Sequence, residues 1–131
     1  MILVDSSVWI DFFSSSPTRA GAELHRMIGD SEPLAVAGVI VAEVLQGLTR
    51  NIDEIAHLLS LWELLEPSGF ATYREAAALF RMARSKGITL TTIDTLIAAI
   101  ALEHGASVFT RDKDFSRLAQ IAKLHLVRAT S

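Results

Sequence analysis

The sequence contains no cysteine, and its 131 residues include only three prolines and seven glycines. Without cysteine the chain cannot form disulfides, thiolate zinc sites or a cysteine nucleophile, so any metal must be coordinated by oxygen or imidazole. Half of the residues are hydrophobic and 21% are charged, which excludes intrinsic disorder and collagen-like repeats. The composition therefore indicates a chain that folds around a hydrophobic core.

Long hydrophobic runs are also missing. The longest apolar stretches, residues 34–42 and 96–102, are far shorter than the roughly 18–20 residues that a helix needs to span a bilayer. The amino terminus has no basic segment and no apolar stretch long enough for a signal peptide. We therefore expect one soluble, cytoplasmic domain over residues 1–131, with no membrane association.

Short apolar runs alternate with segments of helical periodicity along the chain. Strands are predicted at residues 2–4, 34–37, 65–66, 107–110 and 124–127. Helices are predicted over residues 8–13, 17–29, 39–48 and 72–86, after Asp53, around the apolar run 96–102, and from Asp112 or Asp114 through Ile121. This alternation predicts an α/β protein, a three-layer α/β/α domain with a central, mostly parallel sheet of short strands.

Local signals predict where several helices begin and end. Ser16 is a predicted N-cap with Pro17 at the first helical position, and Asp53 is a predicted cap of a later helix. The spacing Thr72-x-x-Glu75 is typical of a capping box. Thr91-Thr92 is predicted to cap the apolar helix, which then ends at His104-Gly105.

Four of the fifteen acidic residues occupy apolar surroundings. Asp5 ends the first strand, Glu43 interrupts an apolar helix, Asp94 precedes a helix too apolar to face water, and Asp112 follows a buried strand. Each also has a structural explanation: Asp5 and Asp112 would serve as helix N-caps, and Asp94 as a first-turn acid. Glu43 is harder to explain this way, because an ionised carboxylate among apolar residues needs a cation, a partner or water.

The four acids together favour a shared cleft. The carboxyl ends of parallel strands lie along one edge of a sheet, where ligands bind near the point at which strand order reverses. Two carboxylates about 5 Å apart repel by about 3 kcal/mol at an effective dielectric near 20, so protons or cations must fill such a cleft. Proton sharing between two acids would support aspartic-protease chemistry, whereas four acids favour Mg²⁺ or Mn²⁺ and metal-assisted hydrolysis of a phosphodiester.

The histidines do not complete a metal site or a catalytic triad. They occur singly and without ligand spacing, so we interpret them as surface or capping residues. They are His25, His57, His104 and His125.

Four motifs carry a family resemblance. They are Ile-Leu-Val-Asp5-Ser6-Ser7-Val-Trp-Ile, Ala42-Glu43-Val-Leu-x-Gly47, Thr92-Ile93-Asp94-Thr-Leu-Ile-Ala-Ala and Val-Phe-Thr110-Arg-Asp112-Lys-Asp114-Phe115. In this order and at these distances the motifs resemble the PIN domain, most closely the VapC-type toxins of bacterial toxin-antitoxin pairs. The resemblance extends over nearly the whole chain. The Ser6 position departs from the commonest family opening, Asp-Thr-Ser, but keeps the hydroxyl.

The resemblance implies a Mg²⁺- or Mn²⁺-dependent endoribonuclease, usually a homodimer, that a VapB-type antitoxin holds inactive. It implies that the metal-binding and catalytic acids are Asp5, Glu43, Asp94 and Asp112. Asp114 would be a supplementary metal ligand, because it follows Asp112 by two residues in the same loop. The hydroxyls of Ser6 and Thr110 would orient these acids without binding the metal themselves.

Basic and apolar side chains suggest where partners bind. Arg111 and Lys113 flank Asp112 and are the better candidates for RNA phosphate contacts. A second basic group has a solvated helix face as an equally good explanation: Arg74, Arg81 and Arg84. An apolar group fits a dimer contact, an antitoxin groove or ordinary core: Phe12, Phe13, Leu58, Leu61, Trp62 and Leu65.

Two other classes of function are compatible with an acidic pocket. A receiver-like signalling domain would hold Mg²⁺ and accept a phosphoryl group on Asp, but it needs a pair of acids after the first strand and a lysine at a later strand end. Here Asp5 is followed by Ser6 and Ser7 instead. A binding module that kept the fold without the chemistry is disfavoured because all four acids are present.

Overall fold

The structure, a computed structural model, describes residues 1–127. The elements in chain order are β1 (Ile2–Val4), α1 (Ser6–Phe12), α2 (Arg19–Gly29), β2 (Leu34–Ala37), α3 (Gly38–Gln46), α4 (Ile52–Leu59), β3 (Glu63–Leu65), α5 (Phe70–Ser85), α6 (Thr92–His104), β4 (Ser107–Phe109), α7 (Lys113–Ile121) and β5 (Leu126–Val127). The predicted single domain also included residues 128–131, which lie outside the described residues.

The five strands form one sheet in the order β3-β2-β1-β4-β5, and every neighbouring pair is parallel. All four residues of β2 are buried, because helices cover both faces of the sheet. The predicted three-layer α/β/α fold is therefore confirmed. The chain adds strands to one side of β1 first and to the other side later, so strand order reverses between β1 and β4. This is the position at which open parallel sheets bind ligands.

Several helices begin at other residues than the sequence signals predict. The predicted cap at Ser16 with Pro17 is wrong, because α2 begins at Arg19 and Thr18 occupies its N-cap. The backbone N–H groups of Thr18 and Gly21 donate instead to the carboxylate of Asp11, which is distant in sequence. Tertiary contact thus replaces the local cap.

Two further caps are also corrected. Asn51, in the left-handed conformation that asparagine tolerates, occupies the N-cap of α4, so Asp53 lies inside that helix. Helix α5 begins at Phe70 after Gly69, so Thr72 and Glu75 do not form a capping box. The Thr72 hydroxyl is instead hydrogen bonded to the carboxylate of Glu103 on α6.

The ends of α6 agree with the prediction. Thr91 and Asp94 form a reciprocal capping box at its start. Gly105 follows its last residue in the left-handed conformation (φ 65°) that favours glycine. Smaller differences affect the ends of other elements: α1 begins at Ser6 rather than at residue 8, β3 begins at Glu63 rather than at residue 65, and the two last strands are shorter.

Trp9 is the centre of an aromatic cluster between α1 and the segment that leads to β3. Its side chain is fully buried, and its ring centroid lies 5.2 Å from that of Trp62 and 5.9 Å from that of Phe13. Leu65 is also buried in the core, whereas Leu61 is exposed. Core packing therefore explains much of the apolar group in which the sequence suggested a partner contact.

A search of residues 1–127 finds no helix that is both long enough and apolar enough to cross a membrane.

Candidate active site

The switch point of the sheet brings the first and last acidic motifs together. Asp5 directly follows β1, and its backbone N–H donates to the carbonyl of Phe109 at the end of β4, at 2.8 Å. Thr110 and Asp112 directly follow β4. Helix α3, which follows β2 on the other side of β1, carries Glu43. Three neighbouring strands thus deliver acids to one edge of the sheet.

Asp5 is the most buried of the predicted site acids, with 5% of its surface exposed. It occupies the N-cap position of α1, but its side chain makes no capping hydrogen bond there, so capping does not explain the carboxylate. Its Oδ2, however, accepts hydrogen bonds from the hydroxyls of Ser7 at 2.8 Å and Thr110 at 2.9 Å. These hydroxyls, from α1 and from the end of β4, fix the orientation of the carboxylate in the cleft.

Glu43 lies close enough to two other acids for their charges to act on it. Burial is the main cause that raises the pKa of Glu43, and the charges of Asp5 and Asp94 raise it further. The Ser6 hydroxyl, which donates to Glu43 Oε1 at 3.1 Å, opposes this rise in part. The structure therefore places Asp5, Glu43 and Asp94 in one electrostatic environment.

Asp94 fills two roles at once. Its Oδ2 accepts from the backbone N–H of Thr91 at 3.0 Å, which is the first-turn role that the structural explanation predicted. The same carboxylate acts on the pKa of Glu43. Its capping bond thus anchors Asp94 at the start of α6 while its charge faces the other acids.

Asp112 and Asp114 lie at the start of α7, in the segment that follows β4. The backbone N–H of Asp112 donates to Thr110 Oγ1 at 3.0 Å, so Thr110 connects Asp112 to Asp5. Asp112 Oδ1 caps α7 by accepting from the N–H of Asp114 at 2.9 Å. Asp114 Oδ1 lies 3.3 Å from Arg117 Nη1. The metal roles of Asp112 and Asp114, like those of Asp5, Glu43 and Asp94, stay predictions.

The sequence reasoning did not single out Ser7 or Asp11. Ser7 Oγ donates to Asp5 and accepts the backbone N–H of Arg111 at 3.0 Å, so it ties α1 to the loop after β4. Asp11, which is 5% exposed, lies 3.5 Å from Arg111 Nη1. The position of Ser7 inside the first motif was the available signal, whereas the pairing of Asp11 with Arg111 joins residues far apart in the chain.

All four histidines are exposed, and none belongs to the acidic cleft. A ring nitrogen of His104 lies 2.8 Å from the carbonyl oxygen of Glu66. Their interpretation as surface or capping residues is confirmed.

The acids fit a divalent cation by their chemistry. The carboxylates of Asp5, Glu43 and Asp94 are oxygen donors of the kind that Mg²⁺ and Mn²⁺ prefer, and a bound cation would offset the repulsion that Asp5 and Asp94 exert on Glu43. Within residues 1–127, no three Asp, Glu, His or Cys side chains are grouped so that they could hold a metal ion. A cation shared by these acids would therefore require their side chains to move closer together.

Raised pKa values predict how stability depends on pH in the metal-free protein. Burial raises the pKa of Glu43 above its ordinary value of 4.5. The stability contributed by this group is therefore fully present below that value and is lost as the pH rises through the raised pKa. We expect Glu43→Gln to increase the free energy of unfolding at pH 7 in EDTA and to have little effect at about pH 4. Urea unfolding at both pH values checks this, and equal effects at both would contradict it.

The fold and the site together define a class of protein. It is an all-parallel α/β/α domain with acidic side chains at the switch point of its sheet. Residues 2–121 match the family model described as the PIN domain. The chain belongs to the PIN domain family, which confirms the resemblance found in its motifs.

Relatives cover nearly the whole chain. The VapC ribonuclease Mb1587 of Mycobacterium bovis is 34% identical, and the match covers 95% of this chain and 96% of the relative. Ribonuclease VapC32 of Mycobacterium tuberculosis is 32% identical over 86% of each protein.

Solved structures show the same fold. FitAcB from Neisseria gonorrhoeae superposes with a TM-score of 0.72 at 24% identity, over 98% of each chain. VapBC-1 from nontypeable Haemophilus influenzae superposes with a TM-score of 0.75 at 19% identity, over 100% of each chain.

Proposed function

We propose that the protein is an endoribonuclease toxin of a VapBC-type toxin-antitoxin pair and that it hydrolyses RNA phosphodiester bonds with Mg²⁺ or Mn²⁺. The observation that carries the proposal is the buried Asp5 carboxylate beside Glu43 and Asp94 at the switch point of the sheet. Relatives named as VapC ribonucleases support the substrate class. The receiver-like alternative is not favoured, because Ser6 and Ser7 follow Asp5, and Thr110 and Arg111 follow β4.

Each side chain has a defined task in this hydrolysis. Asp5, Glu43, Asp94 and Asp112 would hold the cation, with Asp114 as a supplementary ligand. When bound, the cation would supply an activated water and neutralise charge on the leaving oxygen. No protein nucleophile is required.

The hydroxyls near the cleft act on the acids and not on the substrate. Ser6 orients Glu43, while Ser7 and Thr110 orient Asp5. Groups that hydrogen bond to a metal ligand fix its orientation and affect metal affinity. Arg111 and Lys113, which flank Asp112, would bind RNA phosphates.

We also propose two properties that the resemblance implied, a VapB-type antitoxin as partner and a homodimer, together with the cytoplasmic location that the sequence predicted. The structural neighbours include a toxin-antitoxin complex from Klebsiella pneumoniae and a member of the VapBC family of toxin-antitoxin systems from Mycobacterium tuberculosis, which supports the antitoxin. Apolar side chains that remain exposed or half-buried near the aromatic cluster offer a surface for one of these contacts: Phe12, Phe13, Leu58, Leu61 and Trp62.

Mapping of RNA 5′ ends in cells after induction tests the proposal and identifies the substrate in the same experiment. We expect new 5′ ends at defined positions, and none after induction of an Asp94→Asn variant. A purified protein that leaves cellular RNA intact with either Mg²⁺ or Mn²⁺ would contradict the proposal.

A further inference from the structure

Asp11 is a buried carboxylate outside the set of site acids. It lies on α1, one helical turn after Ser7, so the two side chains share a helix face. Its oxygens accept hydrogen bonds from the backbone N–H of Thr18 at 3.1 Å, the hydroxyl of Thr18 at 2.9 Å and the N–H of Gly21 at 2.7 Å. These neutral donors close the connection between α1 and α2.

The one cation that faces Asp11 among the described residues is Arg111. Nη1 of Arg111 lies 3.5 Å from Asp11 Oδ1, which is an ion pair at a distance longer than a good hydrogen bond. The Arg111 side chain is 45% exposed, so it retains N–H donors for a second anion. The hydrogen bonds and the Arg111 charge hold the pKa of Asp11 below its ordinary value, against the effect of burial. Asp11 therefore stays ionised at neutral pH.

Arg111 is held at two points. Its backbone N–H donates to Ser7 Oγ inside the acidic cleft, while its guanidinium reaches Asp11 one turn farther along α1. Its neighbours in sequence, Thr110 and Asp112, are part of the cleft. An arginine here with no partner would be drawn to the carboxylates of the cleft and would compete with a cation for them.

We propose that Asp11 is a positioning residue that holds the Arg111 guanidinium beside the cleft, where it binds an RNA phosphate next to the scissile bond, and away from the carboxylates that bind the cation. The inference rests on the proposed ribonuclease function and adds to it a residue that does not touch the substrate. It explains how one loop presents a positive group to RNA without neutralising the acids next to it.

RNA affinity in EDTA, where no turnover is expected, tests the first half of the proposal. Fluorescence anisotropy with a labelled single-stranded RNA would compare the wild type with Arg111→Gln and Asp11→Asn. We expect both variants to bind RNA with an affinity roughly 3- to 30-fold lower than that of the wild type. The slope of log affinity against log salt concentration should become shallower by about one, which corresponds to one fewer counterion released. Arg19→Gln, which removes an exposed arginine on α2, and Asp30→Asn, which removes an exposed carboxylate, are the matched controls and should bind like the wild type.

Mn²⁺ affinity, measured by calorimetry without RNA, tests the second half. Arg111→Gln should leave it unchanged, whereas Asp11→Asn should weaken it severalfold because the released Arg111 competes for the acids. The double variant Asp11→Asn with Arg111→Gln should regain wild-type Mn²⁺ affinity and bind RNA no worse than Arg111→Gln alone. A role of Asp11 in folding alone would not produce this recovery.

The proposal is overturned if Asp11→Asn binds RNA and Mn²⁺ like the wild type, or if the double variant loses RNA affinity as the product of the two single losses. If Asp11→Asn does not fold, RNA binding by Arg111→Gln and Arg111→Lys tests the proposal instead. Undiminished RNA affinity in Arg111→Gln overturns it. An RNA affinity in Arg111→Lys between those of Arg111→Gln and the wild type supports it. A wild-type protein that cuts no RNA contradicts the proposed function instead, and that result is read from the cleavage assay and not from these binding measurements.

Discussion

Asp5→Asn is expected to reduce RNA cleavage by about 10³-fold or more while the protein stays folded. Loss of a group that merely supports a metal ligand already costs about 10- to 100-fold, and Asp5 would itself be a ligand. Asparagine has the same shape and can still accept from Ser7 and Thr110. Single-turnover cleavage of an end-labelled RNA at saturating Mg²⁺ measures the effect.

The stability of this variant should change in the opposite direction. Burial raises the pKa of Asp5, so its ionised form destabilises the metal-free fold at neutral pH. Asp5→Asn should therefore unfold at a higher urea concentration than the wild type in EDTA. Asp30→Asn, an exposed acid that pairs with Arg26, is the control and should change neither property. Undiminished cleavage by both Asp5→Asn and Asp94→Asn would contradict the proposed catalytic roles of these acids.

Trp9→Ala is expected to lower the free energy of unfolding by about 3–5 kcal/mol, which is a large share of the ~5–15 kcal/mol that stabilises a typical domain. The side chain is fully buried and packs against Phe12, Phe13 and Trp62, so its removal leaves a cavity in the core. Urea unfolding followed by circular dichroism measures the loss.

Trp9→Phe separates packing from hydrogen bonding at this position. Within residues 1–127 the indole Nε1 of Trp9 has no hydrogen-bond partner, so phenylalanine keeps a ring and removes a donor that the fold does not satisfy. We expect this variant to lose far less stability than Trp9→Ala. Equal losses in the two variants would contradict the expectation that a buried ring at this position supplies most of the stability.

The sheet could be predicted from the sequence because its central strands, β1 and β2, are short and entirely apolar. The predicted strands at residues 2–4 and 34–37 have the same bounds as β1 and β2. Short runs that are apolar throughout are typical of parallel strands that helices cover on both faces. The position of Asp5 at the carboxyl edge followed from the same pattern. The cap at Thr91 and the end at Gly105 followed from local chemistry.

The remaining features depend on contacts between distant residues. Thr72 and Glu75 have the spacing of a capping box, but the Thr72 hydroxyl is bonded to Glu103 on another helix. Asp11 appeared to be an ordinary helix-surface acid, yet it is buried and supplies the cap that Ser16 was predicted to provide. Local spacing cannot reveal such partners, because they are set by how the helices pack.

The central claim is that acids distant in sequence share a divalent cation, and calorimetric titration with Mn²⁺ tests it most directly. We expect the wild type to bind Mn²⁺ and the conservative variants Asp5→Asn, Glu43→Gln and Asp94→Asn each to weaken binding by about 10-fold or more. Asp30→Asn should bind like the wild type. A wild type that binds Mn²⁺ no more tightly than Asp5→Asn would contradict the account.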